Sequence, residues 1–230
     1  MKKLTAFDVA KMIDHAILKP DATRADAQEG CDTARKYHTA SVCVKPNDVA
    51  FCAKILQGSD VLVGTVTGFP HGNSVSNAKL FEADIAIKEG AKEIDMVLPI
   101  GLVRSGENVY VKKEVEMMKN LCHKHDALLK IIFETCYLTK EQIILCCKIC
   151  SDVGVDFVKT STGFGTYGAR AEDVKLMRQN TPEYIQVKAS GGIRTLDDFL
   201  AMYKAGATRM GASATEAIVE EAIARGFNNI

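Results

Sequence analysis

Short apolar segments alternate with longer amphipathic segments along the whole chain. Several of the apolar segments have almost no polar interruption, which is typical of strands that are covered on both faces in a parallel sheet. We predict eight strands, at residues 14–18, 40–45, 61–68, 93–98, 128–134, 156–161, 185–189 and 208–212. The pattern therefore predicts an α/β fold in which strands and helices alternate.

The segments between the strands carry the marks of amphipathic helices. Four apolar residues recur at i, i+4, i+7 and i+11 and so share one helical face: Val111, Val115, Met118 and Cys122. Capping-box pairs predict where three helices begin: Thr139 with Gln142, Thr195 with Asp198, and Ser213 with Glu216. Four glycines are predicted to end helices in the left-handed conformation: Gly58, Gly90, Gly154 and Gly206.

Eight strand–helix units share the 230 residues without a break in composition. Their number and even spacing predict a single-domain (β/α)8 TIM barrel over residues 1–230. A doubly wound parallel sheet has the same alternation of strands and helices, but eight even units favour closure into a barrel.

Composition narrows the classes of function. The 29 lysines and arginines balance 29 acidic residues, so the chain lacks the basic surplus of a nucleic-acid-binding protein. Hydrophobic residues make up 47% of the chain, which excludes disorder. No apolar run approaches the roughly 20 residues that cross a bilayer, and no secretory signal follows the first lysines. We therefore expect a cytoplasmic protein without a nucleic-acid or membrane partner.

Eight cysteines are present, three of them in the segment CCKIC (146–150). Without an export signal their expected state is the reduced thiol. Cys147 and Cys150 have CxxC spacing, but no second pair and no nearby histidine complete a tetrahedral site. We interpret the cysteines as core or surface thiols, with redox or metal use as the alternative.

Five charged residues interrupt strands that are otherwise apolar or small: Asp14, Asp95, Lys130, Lys159 and Lys188. An unpaired buried charge costs more free energy than a marginally stable fold can absorb. In a barrel, inward-pointing side chains near the carboxyl ends of the strands converge on one central site, where these charges would pair. The alternative is that they point outward or form a structural ion-pair network. Five such residues on five strands favour a functional site.

Lys159 and Lys188 lie on the sixth and seventh predicted strands, which are neighbours in a barrel. A nearby ammonium and the exclusion of water lower the pKa of a lysine, and a neutral amine can attack a carbonyl to form a Schiff base. One lysine would be the nucleophile and the other the cation that lowers its pKa, and periodicity leaves open which is which. A carboxylate such as Asp95 can transfer the protons that this chemistry requires.

Glycine-containing loops follow the last three strands, at Gly163, at Gly191–Gly192 and at Gly211–Ser213. Barrels often bind phosphate at the loops after strands seven and eight, through backbone N–H groups and a helix N-terminus. These segments are also compatible with ordinary turns, in which Ser213 is only an N-cap. No nucleotide-binding glycine motif is present and no histidine has carboxylates at ligand spacing, so we expect no cofactor and no metal.

Seven blocks of sequence resemble the deoxyribose-phosphate aldolase family, whose members form a Schiff base on a lysine. They are IDHAILKP (13–20), VGTVTGFPHG (63–72), EIDMVLPIG (93–101), LKIIFET (129–135), FVKTSTGF (157–164), VKASGGIRT (187–195) and RMGAS (209–213). The blocks keep the family's order, and the pair of lysine motifs is highly specific. The resemblance implies a (β/α)8 barrel that reversibly cleaves 2-deoxy-D-ribose 5-phosphate into D-glyceraldehyde 3-phosphate and acetaldehyde, without a metal, in deoxyribose phosphate catabolism.

The resemblance also assigns roles to the candidate site residues. Lys159 matches the Schiff-base lysine, Lys188 the second lysine that lowers its pKa and joins the proton relay, and Asp95 the acid–base aspartate. Asp14 and Lys130 match positions that contact the substrate hydroxyl and support the relay. The phosphate-contacting loops match at Gly163, Gly191, Gly192 and Ser213.

Four features differ from some members of the family. They are Ala16 in place of Thr, Phe164 in place of Lys, Ala214 in place of a second Ser, and a tail GFNNI (226–230) without a C-terminal tyrosine. We expect these differences to affect rate and substrate range rather than the type of reaction.

Two other functions stay open at this point. One is a different Schiff-base barrel enzyme, such as a transaldolase-like or hydroxyacyl-phosphate aldolase, and the other is a non-catalytic barrel that binds a sugar phosphate. The expected partners are a small sugar phosphate and acetaldehyde. The sequence is compatible with a homo-oligomer but does not predict one.

Overall fold

Eight parallel strands close into a barrel in the order of the sequence. The computed structural model describes residues 4–227, and β1 pairs with β8 to complete the ring. The strands are β1 Ile13–Ile17, β2 Ser41–Val44, β3 Leu62–Thr67, β4 Glu93–Val97, β5 Leu128–Ile132, β6 Phe157–Lys159, β7 Gln186–Ser190 and β8 Arg209–Ala212. The predicted (β/α)8 barrel is confirmed, and the doubly wound alternative is wrong.

Every predicted strand overlaps an observed one, but several predictions run too far at the carboxyl end. The predicted strand at 128–134 ends at Ile132, because Glu134 adopts a left-handed conformation with a φ of 55°. The predicted strand at 156–161 ends at Lys159. The strand ladder therefore stops at the nucleophile candidate itself, and the following residues form the rim of the barrel.

Helices surround the barrel. Residues 4–227 contain α1 Ala6–Lys11, α2 Arg24–Tyr37, α3 Val49–Ile55, α4 Ser76–Lys88, α5 Ile100–Arg104, α6 Asn108–Lys124, α7 Lys140–Val153, α8 Ala171–Gln179, α9 Leu196–Ala205 and α10 Thr215–Ala224. The predicted apolar stripe of α6 is buried, from Val111 to Cys122. No helix in this part of the chain has the length and apolar character needed to span a membrane.

Two of the three predicted capping boxes are confirmed, at Thr139 for α7 and at Thr195 for α9. The box of Ser213 with Glu216 is wrong, because α10 begins at Thr215 and Ala214 occupies its N-cap without a side-chain hydrogen bond. Glu216 Oε1 instead accepts a hydrogen bond from Tyr37 Oη at 3.0 Å. The first turn of α10 is thus left without a side-chain cap.

The four glycines predicted to end helices all have a positive φ. Gly154 and Gly206 are the C-caps of α7 and α9, as predicted. Gly90 ends α4 as predicted, because it follows the C-cap Glu89 with a positive φ and the next amide, Ala91 N, donates to Ala86 O at 2.9 Å. Gly58 does not end α3, because the C-cap Leu56 lies two residues before it.

The hydrophobic core lies between the outer face of the barrel and the helices. Val42, Val63, Ile94 and Leu129 are buried in it, and the charged residues Glu93, Asp95 and Lys130 are sequence neighbours of the last two. All eight cysteines are free thiols, and all but Cys136 are buried, as the interpretation of core thiols predicts. The apolar residues hold the helices against the barrel and leave its interior available for polar groups.

Candidate active site

All five charged residues predicted from the strands lie inside the barrel. Asp14, Asp95, Lys130, Lys159 and Lys188 are each at most 2% exposed. Because side chains alternate between the two faces of a strand, the apolar residues next to them point outward to the helices. The alternative that these charges point outward is wrong.

Asp95 connects the three lysines. Its Oδ2 accepts a hydrogen bond from Lys159 Nζ at 2.7 Å and another from Lys188 Nζ at 2.7 Å. Its Oδ1 accepts from Lys130 Nζ at 2.9 Å. The strand register explains this, since Asp95 is paired with Lys130 and Lys159 with Lys188 across neighbouring strands.

Asp14 holds the other side of Lys188. Its Oδ2 lies 2.5 Å from Lys188 Nζ. Its Oδ1 accepts hydrogen bonds from Ser41 Oγ at 2.8 Å and from Arg209 Nη1 at 2.6 Å. Lys188 thus contacts two carboxylates, whereas Lys159 contacts one.

Two members of the cluster were missed from the sequence, Glu93 and Arg209. Glu93 Oε2 lies 2.6 Å from Lys130 Nζ, and Glu93 Oε1 lies 3.0 Å from Arg209 Nη1. Both are the first residues of their strands, where a charge is easily interpreted as exposed. The available signal was that Glu93 is two residues before Asp95 and so faces the same way.

The two central lysines differ in protonation. Burial and the neighbouring Lys188 ammonium lower the pKa of Lys159, against the opposite effect of Asp95. Burial also acts to lower the pKa of Lys188, but Asp14 and Asp95 together raise it above its ordinary value. The two shifts have opposite directions, so loss of a proton is favoured at Lys159 over Lys188.

The two aspartates stay ionised. Burial acts to raise the pKa of Asp14 and of Asp95, but the surrounding lysines, joined by Arg209 at Asp14, lower both pKa values well below the ordinary range. Asp95 is thus a carboxylate held between two ammonium groups and one readily deprotonated amine. It can accept a proton from one neighbour and return it to another without moving.

The cluster forms the floor of a cavity of about 1040 Å³ at the carboxyl ends of the strands. Lys159 and Lys188 line this cavity, together with Cys43 and Ser190. The carboxylates and Lys130 lie beneath the two amines, so a ligand in the cavity meets the lysines first. This is the end of the barrel at which TIM-barrel enzymes carry out chemistry.

The glycine loops form one wall of the same cavity, which is lined by Gly163, Gly191, Gly192 and Ser213. The φ of Gly191 is +85°, and a Cβ there would lie 2.9 Å from Gly168 Cα. Only glycine therefore allows the loops after β6 and β7 to approach each other so closely. The uncapped first turn of α10 opens onto the same wall, where its free N–H groups and positive dipole end favour an anion.

The three residues by which the sequence differs from some family members also line this cavity. Ala16, Phe164 and Ala214 all line the cavity. The Phe164 ring packs edge-on against Phe69, with 5.4 Å between the ring centroids. The last residues of the tail, 228–230, lie outside the described residues.

One cavity residue was set aside in the sequence, His15. Its Nδ1 lies 2.8 Å from Thr215 Oγ1, at the start of α10. Burial lowers the pKa of His15 to about 4, so the imidazole is neutral near pH 7. It positions the helix end without adding charge. Among residues 4–227, no group of three or more His, Cys, Asp or Glu side chains is arranged to hold a metal ion.

Comparison with known proteins places this geometry in a family. The sequence matches the DeoC/LacD family aldolase model over residues 8–221. The chain belongs to this aldolase family. The resemblance found in the lysine motifs is thereby confirmed.

Individual members of the family match nearly the whole chain. The deoxyribose-phosphate aldolase of Thermoanaerobacter sp. (strain X514) is 51% identical over 215 residues, which cover 93% of this chain and 96% of the relative. That of Clostridium perfringens (strain 13 / Type A) is 48% identical over 92% of this chain and 94% of the relative. The tetrameric deoxyribose-phosphate aldolase of Aeropyrum pernix superposes with a TM-score of 0.89 at 29% identity, covering 94% of this chain and 92% of that one.

Proposed function

We propose that this chain catalyses the reversible cleavage of 2-deoxy-D-ribose 5-phosphate into D-glyceraldehyde 3-phosphate and acetaldehyde, through a Schiff base on Lys159. The observation that carries the proposal is a single carboxylate oxygen of Asp95 that lies 2.7 Å from both Lys159 Nζ and Lys188 Nζ. The contact joins two amines that line one cavity to a carboxylate beneath them, which is the set that a nucleophile, a neighbouring cation and a proton acceptor would need. Family membership supplies the reaction class.

Substrate binding uses the cavity wall. The backbone N–H groups near Gly163, Gly191 and Gly192 and the first turn of α10 would hold the phosphate. Ser213, just before that turn, adds a hydroxyl. With the phosphate fixed at this rim, the open-chain sugar extends toward the floor, where its aldehyde carbon meets Lys159.

Bond formation begins with the neutral Lys159 amine, which attacks the C1 carbonyl and forms a carbinolamine. Asp95 accepts a proton from the attacking amine and returns it to the carbinolamine oxygen, and Lys188 then donates a second proton to the departing hydroxyl. The loss of water leaves an iminium that joins Lys159 to C1. Lys130 and Asp14, which contact Asp95 and Lys188 from beneath, keep the carboxylate and the ammonium in place during these transfers.

Cleavage breaks the bond between C2 and C3. A base removes the proton of the C3 hydroxyl, the C2–C3 electron pair moves into an enamine, and D-glyceraldehyde 3-phosphate leaves. Protonation of the enamine at C2 and hydrolysis of the iminium release acetaldehyde and restore the amine. The relay of Asp95 and Lys188 is the nearest group that can exchange these protons.

The experiment that tests the proposal is reductive trapping. Acetaldehyde and borohydride together convert the imine into a stable ethylamine, so we expect one added ethyl group, located on Lys159 by peptide mass spectrometry. The Lys188→Met variant should label the same lysine about 10²-fold more slowly, since it lacks the cation that lowers the pKa of Lys159. Labelling of a different lysine in the wild-type protein would contradict the assignment.

The other functions predict different outcomes. A transaldolase-like enzyme would be trapped with acetaldehyde but would turn over ketose phosphates, whereas we expect cleavage of deoxyribose 5-phosphate and none of fructose phosphates. A non-catalytic barrel would bind the sugar phosphate and be trapped by neither aldehyde nor sugar. These three results are mutually exclusive.

We further propose that residues 1–230 act as one catalytic domain that assembles as a homo-oligomer in the cytoplasm. A tetrameric relative supports assembly, and eight free thiols fit a reducing compartment. Light scattering on the purified protein tests the assembly, and a monomer mass would contradict it.

A further inference from the structure

The charges inside the barrel do not balance. The ion pairs connect four basic side chains, Lys130, Lys159, Lys188 and Arg209, with three carboxylates, Asp14, Glu93 and Asp95. Six of these seven side chains are at most 3% exposed, and Arg209 is 13% exposed. With every group ionised, these seven ion-paired side chains would hold one uncompensated positive charge, and almost all of them are buried.

Uncompensated buried charge is costly, so the cluster is most stable when one basic group gives up its proton. Arg209 cannot do so, because a guanidinium stays charged in proteins. Lys188 has two carboxylate partners, at 2.5 and 2.7 Å, and Lys130 has close contacts of 2.6 and 2.9 Å. Lys159 has a single partner oxygen, which it shares with Lys188. Lys159 is therefore the basic group of the cluster that loses its proton most easily.

Arg209 is the source of the imbalance. It lies at the amino end of β8, away from the cavity lining, and its Nη1 contacts both Asp14 Oδ1 and Glu93 Oε1. It thereby engages two of the three carboxylates that the lysines would otherwise share. Its only route to Lys159 is through these carboxylates and the lysines that they contact.

We propose that Arg209 is a positioning residue that sets the charge balance of the barrel interior and so leaves Lys159 as the uncharged amine. Glu93 opposes it, because each carboxylate added to the cluster favours a proton on Lys159. The inference rests on the proposed role of Lys159 as nucleophile. It assigns a function to two residues that never touch the substrate.

Other groups also face Lys159 and must stay constant in a test. Cys43 on β2 is a neutral thiol, since burial and Asp95 raise its pKa to about 11. Glu134, after β5, has a pKa raised by burial and accepts hydrogen bonds from Thr162 N and Oγ1. His15 on β1 is neutral. None of these groups hydrogen-bonds to Arg209 or Glu93 in the described residues, so substitutions at those two positions leave them unchanged.

The test is the pH dependence of trapping Lys159 with acetaldehyde and cyanoborohydride, in four forms of the full chain. Arg209→Met leaves three cations and three carboxylates, so we expect the midpoint of the rate profile to rise by about one pH unit. Glu93→Gln leaves four cations and two carboxylates and should lower the midpoint. The double variant again has one excess cation, and its midpoint should return to that of the wild type.

This return is the decisive result, because a merely structural role would make the double variant worse than either single one. Arg209→Lys, which keeps the charge, should have a profile close to the wild type. The inference would be overturned if wild type, Arg209→Met and Glu93→Gln all had the same midpoint, or if the Glu93→Gln midpoint lay above that of the wild type. If Arg209→Met does not fold, Glu93→Gln alone still tests the direction of the shift.

Failure of the inference is distinct from failure of the proposed function. If wild-type Lys159 is never labelled, the proposed function is wrong. If Lys159 is labelled in every form but the midpoints do not shift, Lys159 is the nucleophile and the proposed role of Arg209 is wrong. Circular dichroism melts of these four forms and of Arg209→Lys show whether each was folded when it was trapped.

Discussion

Two lysines of this chain are equally removed from water, and only one of them is suited to chemistry. Lys79 is fully buried between α4 and α6, and its Nζ donates to Glu114 Oε2 and to Val97 O, both at 2.9 Å. Lys159 is 2% exposed and donates to Asp95. Burial is the main cause of a lowered pKa in both.

The difference lies in their neighbours. Glu114 and Tyr110 both favour the proton on Lys79, and Lys79 does not line the cavity. Lys159 faces a cation, Lys188, and opens onto 1040 Å³ of space. A lowered lysine pKa therefore does not identify a nucleophile by itself. A neighbouring cation and access for a carbonyl must accompany it.

Removal of each amine in turn should show the largest difference between Lys159 and Lys79. We expect Lys159→Met to reduce kcat/KM for deoxyribose 5-phosphate by at least about 10⁴-fold, since no other group can form the imine. Lys79→Met should keep kcat/KM close to the wild-type value in the folded fraction. Steady-state kinetics on both variants decide the matter, and a comparable loss in Lys79→Met would erase the distinction.

The next largest effect is on stability, and here we expect the substitution of Lys79 to have a large effect. Lys79→Met leaves the Glu114 carboxylate buried without its partner, so we expect the free energy of unfolding to fall by about 3–5 kcal/mol. The double variant Lys79→Met/Glu114→Leu should recover most of that loss, because it leaves no unpaired charge. Urea denaturation measures both. A double variant as unstable as the single one would show that the ion pair is not the cause.

A smaller effect separates two glycines, one from each region. Gly191, with a φ of +85°, lies on the cavity wall. Gly68 has a φ of +62°, and a Cβ added there would lie 2.8 Å from Lys79 Cε. Either change to alanine should cost about 1–3 kcal/mol of stability. Only Gly191→Ala should also raise KM for the phosphate substrate, by about tenfold, through a displaced N–H group. Equal KM values in the two variants would argue against a phosphate site at Gly191.

The sequence predicted the region around Lys159 better than the region around Lys79. Asp95, Lys159 and Lys188 could be predicted because a charged residue inside an apolar strand must pair with other charges in the barrel interior. The order of the strands then brings the three side chains together. Lys79 was not predicted to be buried, because a lysine on a helix is ordinarily exposed. Its partner Glu114 is 35 positions further along the chain.

Long-range contacts also explain the two clear errors. Glu93 and Arg209 were missed because a charge at the start of a strand is compatible with solvent, and only barrel closure brings them within 3.0 Å. The capping box at Ser213 failed because α10 begins one residue later than that box requires, and Glu216 instead accepts a hydrogen bond from Tyr37 on α2. Local spacing cannot reveal a competing contact of this kind.

That failed cap has a consequence for the motions of the protein. In the described residues, the N-cap of α10 offers no side-chain acceptor to the first amides of the helix, at Thr215, Glu216 and Ala217. A bound phosphate would supply the missing acceptor and slow the exchange of these amide hydrogens with deuterated solvent. The phosphate of the substrate would then cap α10, and this rim of the barrel would be most ordered while substrate is bound.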